Sequence, residues 1–171
     1  YFSKNHQVVW LDLAGHGASK SNRQEYTMSA FGADVAAVVN KIDGDNVILV
    51  GHSMGGPVAI EAAKLLGNKV IGVVGVDTFY TPFEYPKSET EIDGFVKPFL
   101  DEHMVRSMFT PEAGQDLIAS IVKQTSVANQ DVGISAMYEI FRWHAKNVPS
   151  SLDKLSKKLR NINGAPTGKE I

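Results

Sequence analysis

The sequence predicts an α/β fold: part of a doubly wound parallel sheet carrying a helical insertion, within a chain of 171 residues. Three observations lead there. Gln7 to Leu13, Val47 to Val50 and Val70 to Val76 are short, nearly continuous apolar runs. Strands buried on both faces of a parallel sheet read that way. Helical patterns separate the runs, as in βαβ units with right-handed crossovers. After Asp77, roughly 80 residues pass without a clear strand, too many for one crossover helix.

The elements follow in order. "QVVWLDL" is rich in β-formers and ends at the glycine loop "AGHGAS". Met28, Phe31, Val35, Val38, Val39 and Ile42 recur every third or fourth residue and define one helical face, with Thr27 as N-cap. "DGDN" at 43–46 is a turn. Val47 to Val50 is the second strand, and Pro57 to Leu66 is a helix closed by Gly67. Val70 to Val76 is the third strand, and both faces of this sheet are expected to be covered. "TFYTPFEYPKS" is a loop rich in proline and aromatic residues. Ser88 and Glu91 fit a capping box, opening a helix that Pro98 kinks or ends. A second insertion helix is expected to start at Thr110-Pro111, with Leu117, Ile118, Ile121 and Val122 on one face. A third runs from about Val132 to Lys146 through Met137, Ile140, Phe141 and His144. Leu155 to Ile162 begins a return to the sheet. The expected organisation is a three-stranded core over 1–82, a helical cap over 83–154 and a return toward the core over 155–171.

Composition narrows the function classes. The net charge of −2 and pI near 6.2 argue against nucleic-acid binding, which normally needs a basic surface. There is no cysteine, which excludes disulfides and thiolate metal sites. No metal and no organic cofactor is expected. No apolar run reaches the length of a membrane span, and no signal-peptide pattern opens the chain. A soluble, cytoplasmic protein is the default expectation; composition leaves the oligomeric state open. The start at Tyr1, close to a strand, reads as cut.

The chemistry centres on "VILVGHSMGGPVAIEAA", Val47 to Ala63. Gly51-His52-Ser53-Met54-Gly55 is a G-x-S-x-G pattern, weak by itself. Between an apolar strand and an alanine-rich helix it reads as a nucleophile elbow, with Ser53 the nucleophile. The alternative is a glycine-rich connecting loop. The tight turn strains Ser53 and requires small residues where backbones cross, a demand that Gly51 and Gly55 meet. Gly56 relaxes the turn further, and His52 is expected to pack away from the site. The helix start offers free N–H groups and a positive dipole end. The Met54 N–H is thus a candidate oxyanion donor. Asp77 ends the third strand at the same sheet edge, where catalytic groups gather. It is the candidate acid, with a capping role as the alternative.

"GHSMGG" and "DLAGHGAS" (Asp12 to Ser19), in this order and on these elements, resemble the α/β-hydrolase superfamily, specifically its serine-nucleophile members with a helical cap. The resemblance covers most of the chain. It implies catalytic groups in the order Ser, Asp or Glu, His. It fits Asp77 to the earlier of two acid positions; Glu170 is the acidic residue near the later one. It implies that Asp12 stabilises its own loop. It also implies a second oxyanion donor before Tyr1 and a catalytic His after the last strand, and no His follows His144. The expectation is an internal fragment lacking both.

The remaining polar residues have plainer expectations. His6 is exposed, and His16 lies in a surface loop or lines the site mouth. His103 and His144 read as solvated or packed helix residues more readily than as a base. Asp34 and Glu61 are expected in solvent. Phe95, Phe99, Met104, Met108, Phe109, Met137 and Phe141 either shape an acyl pocket or pack the cap, and helical spacing favours packing. The function expected is a serine hydrolase acting on an ester or related acyl bond of a small molecule through an acyl-enzyme on Ser53, inactive as this chain alone. Serine at the elbow argues against epoxide hydrolases and haloalkane dehalogenases, which resemble this fold but use aspartate. The alternatives are a non-catalytic small-molecule-binding protein of the same fold, or an inactive truncated copy.

Overall fold

A computed structural model describes residues 1–20, 23–78, 88–96, 102–127, 130–155 and 158–162. Its sheet has three strands, β1 (Val47–His52), β2 (Val70–Val76) and β3 (Leu159–Ile162), in that order and all parallel. The helices are α1 (Met28–Val39), α2 (Gly55–Leu66), α3 (Glu89–Val96), α4 (Glu102–Ser107), α5 (Gln115–Val127) and α6 (Gln130–Leu155).

Local signals account for most of the boundaries. Thr27 caps α1, its hydroxyl accepting from the Ala30 N–H at 3.1 Å. Met28, Phe31, Val35 and Val39 form the buried stripe of α1. α2 ends at Gly67, as expected. Ser88 and Glu91 form a reciprocal capping box at 3.2 Å in each direction, and α3 starts there. β3 falls inside the expected return segment and pairs with β2.

The main core joins α1, α2, Leu49 of β1, Val70 and Val73 of β2, and Ala136, Ile140 and Trp143 of α6. A smaller cluster holds α3 to α6 through Ile92, Val96 and Phe141. α6 therefore packs on the core helices as well as on the inserted ones.

Several expectations need correction. Residues 7–13 form no strand, so the described residues of the segment 1–82 contribute two strands rather than the expected three. Val8, Val9, Trp10 and Leu11 are exposed, Trp10 at 86%. An apolar run becomes a strand only with a hydrogen-bonded neighbour, and the neighbour of β1 in this sheet is β2. Among the described residues, the sheet is also covered on one face only. The core gathers over Leu49 and Val73, which leaves the alternate side chains turned outward. Ile48 is 52% exposed, Val50 67% and Ile162 59%. α5 starts five residues later than expected. The Thr110 carbonyl first accepts from the Ala113 N–H in a tight turn, and the helix begins beyond Gly114. Its face is narrower too, with Ile118 buried and Leu117 exposed. α4 adds a helix to the expected set, and α6 continues past Lys146 to Leu155. Pro98, Phe99, Glu170, the loop at 79–87 and the boundary at 82/83 lie outside the described residues.

Candidate active site

Parallel pairing brings the ends of β1 and β2 together. His52 is the register partner of Val76, so Ser53 and Asp77 leave the sheet side by side at one edge. Both take left-handed backbone conformations, with φ of 49° at Ser53 and 44° at Asp77. Such strain costs on the order of 1–3 kcal/mol per residue and gathers at functional sites. The Ser53 N–H donates to the Val76 carbonyl at 3.0 Å, and the Asp77 N–H to the Ile162 carbonyl at 2.6 Å. The Asp77 residue is exposed, and Ser53 is half-buried.

The requirement for small residues holds at one expected glycine and moves at the other. A Cβ on Gly51 would lie 2.7 Å from the Gly56 nitrogen and closer still to the Gly55 carbonyl. Among the described residues, a Cβ on Gly55 would meet nothing within 4 Å, so none of them requires a glycine there. Gly56 is required instead, because its Cβ would fall 2.8 Å from the Thr78 Cβ and closer to the Thr78 hydroxyl. The turn of the helix directs the Gly56 Cβ toward Thr78, just past the end of β2, and the Gly55 Cβ away from it. Gly56 thus serves close packing rather than relaxation of the turn.

Thr78 is the residue that sequence reasoning missed. It is 7% exposed, and its hydroxyl donates to the Ser53 carbonyl at 2.6 Å. The same carbonyl accepts from the Gly56 N–H at 3.0 Å. The available signal was a hydroxyl residue next to a strand end, a pattern too common to single it out.

Met54 is half-buried at the N-cap of α2, with its backbone already helical. His52 is exposed and lies on the open sheet face, not in packing, because it alternates with Gly51 along β1. His6 is exposed. His16 is half-buried, edge-on to Phe31 at 5.7 Å. His144 is buried in α6. Asp12 accepts from the Ala18 N–H at 2.8 Å and so braces its own loop, as expected.

Glu61 is not in solvent. Its side chain is 12% exposed and accepts from Trp143 Nε1 at 2.7 Å, Lys64 Nζ at 2.6 Å and Ser29 Oγ at 3.2 Å. Burial pushes its pKa up, but the bonds from Lys64, Trp143 and Ser29 outweigh that and hold it below the ordinary carboxylate range. Asp34 is ion-paired with Arg23 at 2.6 Å. Of the apolar residues considered for an acyl pocket, Phe141 is fully buried against Ile92 and Val96, with Phe95 edge-on to it at 5.1 Å. Met108 is exposed. Packing is what Phe141 and Met137 do. Among the described residues, no group of three or more His, Asp or Glu side chains is arranged to hold a metal ion, and no helix is long and apolar enough to cross a membrane.

The family model for the alpha/beta hydrolase fold matches residues 1–109. Human palmitoyl-protein thioesterase ABHD10, mitochondrial, is 33% identical over 100 residues, covering 54% of this chain and 33% of that protein. The sn-1-specific diacylglycerol lipase ABHD11 of Xenopus laevis is 29% identical over 168 residues, covering 96% of this chain and 51% of that protein. A hydrolase from Oleispira antarctica has a similar structure, with a TM-score of 0.69 at 15% identity over 89% of this chain and 60% of that one. At that identity the likeness concerns fold alone. The chain spans a third to a half of the length of these curated relatives.

Proposed function

The chain belongs to the alpha/beta hydrolase fold family, and on that premise we propose that it carries the nucleophile of a serine hydrolase acting on an ester or related acyl bond. The observation behind this reading is Ser53 in a left-handed conformation between a parallel strand and a helix N-terminus. That is the setting of a nucleophile elbow. The relatives named as a thioesterase and a lipase support acyl chemistry.

In this reading Ser53 Oγ attacks the acyl carbonyl carbon, and its proton passes to a base. The carbonyl oxygen becomes an oxyanion that the Met54 N–H stabilises. Collapse expels the leaving group and gives an acyl-enzyme on Ser53, which water then hydrolyses. Asp77, beside Ser53 at the strand ends, is the candidate acid that orients the base. No base is assigned among the five histidines of the chain.

A fluorophosphonate probe applied to the whole protein tests the reading. The parent protein should be labelled covalently and Ser53→Ala should not. Labelling that persists in Ser53→Ala would sink the assignment. A folded parent that binds acyl ligands without ever being labelled would point instead to a non-catalytic binding protein.

A further inference from the structure

We propose that Thr78 is a positioning residue for oxyanion stabilisation, acting through the peptide that joins Ser53 to Met54. The proposal rests on Ser53 as nucleophile and Met54 as oxyanion donor.

A peptide unit is planar, so its C=O and N–H turn together and point in opposite directions. The Ser53 carbonyl and the Met54 N–H belong to one such unit. Whatever fixes the carbonyl also aims the N–H. Two donors fix it, the Gly56 N–H at 3.0 Å and the Thr78 hydroxyl at 2.6 Å. Together they occupy both lone pairs of the Ser53 oxygen. The Gly56 bond is internal to the turn and would move with it. The Thr78 bond reaches in from the segment just past β2 and ties the turn to the end of that strand. It comes from a buried residue whose position is set by close packing on Gly56. It therefore resists rotation of the peptide away from the strained geometry at Ser53, where φ is 49°. A hydrogen bond to a peptide carbonyl also polarises the unit and strengthens its N–H as a donor. Both effects grow in importance as the oxyanion develops, so the hydroxyl should matter to the chemical step more than to ligand binding.

The test uses the whole protein and a fluorophosphonate probe, measuring the limiting labelling rate and the half-saturating probe concentration. Thr78→Val keeps the side-chain shape and removes the donor. Its limiting rate should fall roughly tenfold, with the half-saturating concentration within about twofold of the parent. Thr78→Ser keeps the hydroxyl and should retain the parent rate within about twofold. Equal losses in the two variants would show that any change of this side chain disturbs the turn, with no specific part for the hydroxyl, overturning the proposal. So would a Thr78→Val protein that labels at the parent rate. Should Thr78→Val not fold, Thr78→Ala replaces it: a parent-like rate overturns the proposal, and a roughly tenfold slower rate beside a parent-like Thr78→Ser upholds it. Failure of the nucleophile assignment is separate, since it appears as labelling of Ser53→Ala.

Discussion

Ser53 holds a backbone conformation that its side chain disfavours, with φ of 49°. For a residue with a Cβ this region costs roughly 1–2 kcal/mol, and glycine avoids the penalty. Ser53→Gly should therefore be more stable than Ser53→Ala by about 1 kcal/mol, measured by urea denaturation of the whole protein. Equal stabilities would argue against strain at the elbow. The three glycines around Ser53 make a second, ordered test. Gly51→Ala forces a Cβ into the backbone of Gly55 and Gly56 and should destabilise the protein by about 3 kcal/mol or more. Gly56→Ala meets the Thr78 side chain and should cost about 1–3 kcal/mol. Gly55→Ala meets none of the described residues and should be neutral or stabilising by up to about 1 kcal/mol. The pattern G-x-S-x-G marks Gly55 and leaves Gly56 outside it. Only the approach of Thr78 shows which of the two is constrained.

Helix docking turns on Glu61, which joins three elements through Ser29 of α1, Lys64 of α2 and Trp143 of α6. Its folded pKa lies below the ordinary value because these bonds outweigh the opposing effect of burial. A depressed folded pKa means that the stabilising contribution is present above the unfolded value, about 4.3, and is lost as pH falls through the lower folded one. Glu61→Gln should cost about 1–2 kcal/mol at pH 6 and proportionally less at pH 3. Urea denaturation at the two pH values checks this; a cost that grows toward acid would contradict it. The ion pair between Arg142 and Glu89 sits on an exposed carboxylate, so its weakening by salt should barely move stability. Caps were legible because each is a contact across three residues, as at Thr27 and at Ser88 with Glu91. The hub at Glu61 was not. Its sequence neighbourhood reads as an ordinary exposed helix position, and Trp143 lies 82 residues away.

Among the described residues, one face of the sheet is open, with Ile48, Val50 and Ile162 exposed on it. Exposed apolar side chains grouped on one sheet face favour association or cover by further protein. In sedimentation velocity the 171-residue chain should associate increasingly with concentration and bind the dye ANS. Paired Ile48→Lys and Val50→Lys substitutions should weaken both behaviours and leave the cooperative melt in place, since neither side chain belongs to the core cluster. A monomer without dye binding would show that this face is less available than its exposure implies.

The sequence by itself determined the parallel α/β architecture, the limits of β2, the caps of α1 and α3, and the strand–turn–helix setting of Ser53. These rest on periodicity and on contacts between near neighbours, which a linear pattern records. Only the tertiary structure decided that residues 7–13 stay out of the sheet, that one face is open, that Gly56 rather than Gly55 must be small, and that Thr78 holds the Ser53 carbonyl from 25 residues away. Each of these depends on which distant segments meet. A strand needs a hydrogen-bonding neighbour, and burial needs a covering layer. A glycine's necessity depends on what its missing Cβ would strike.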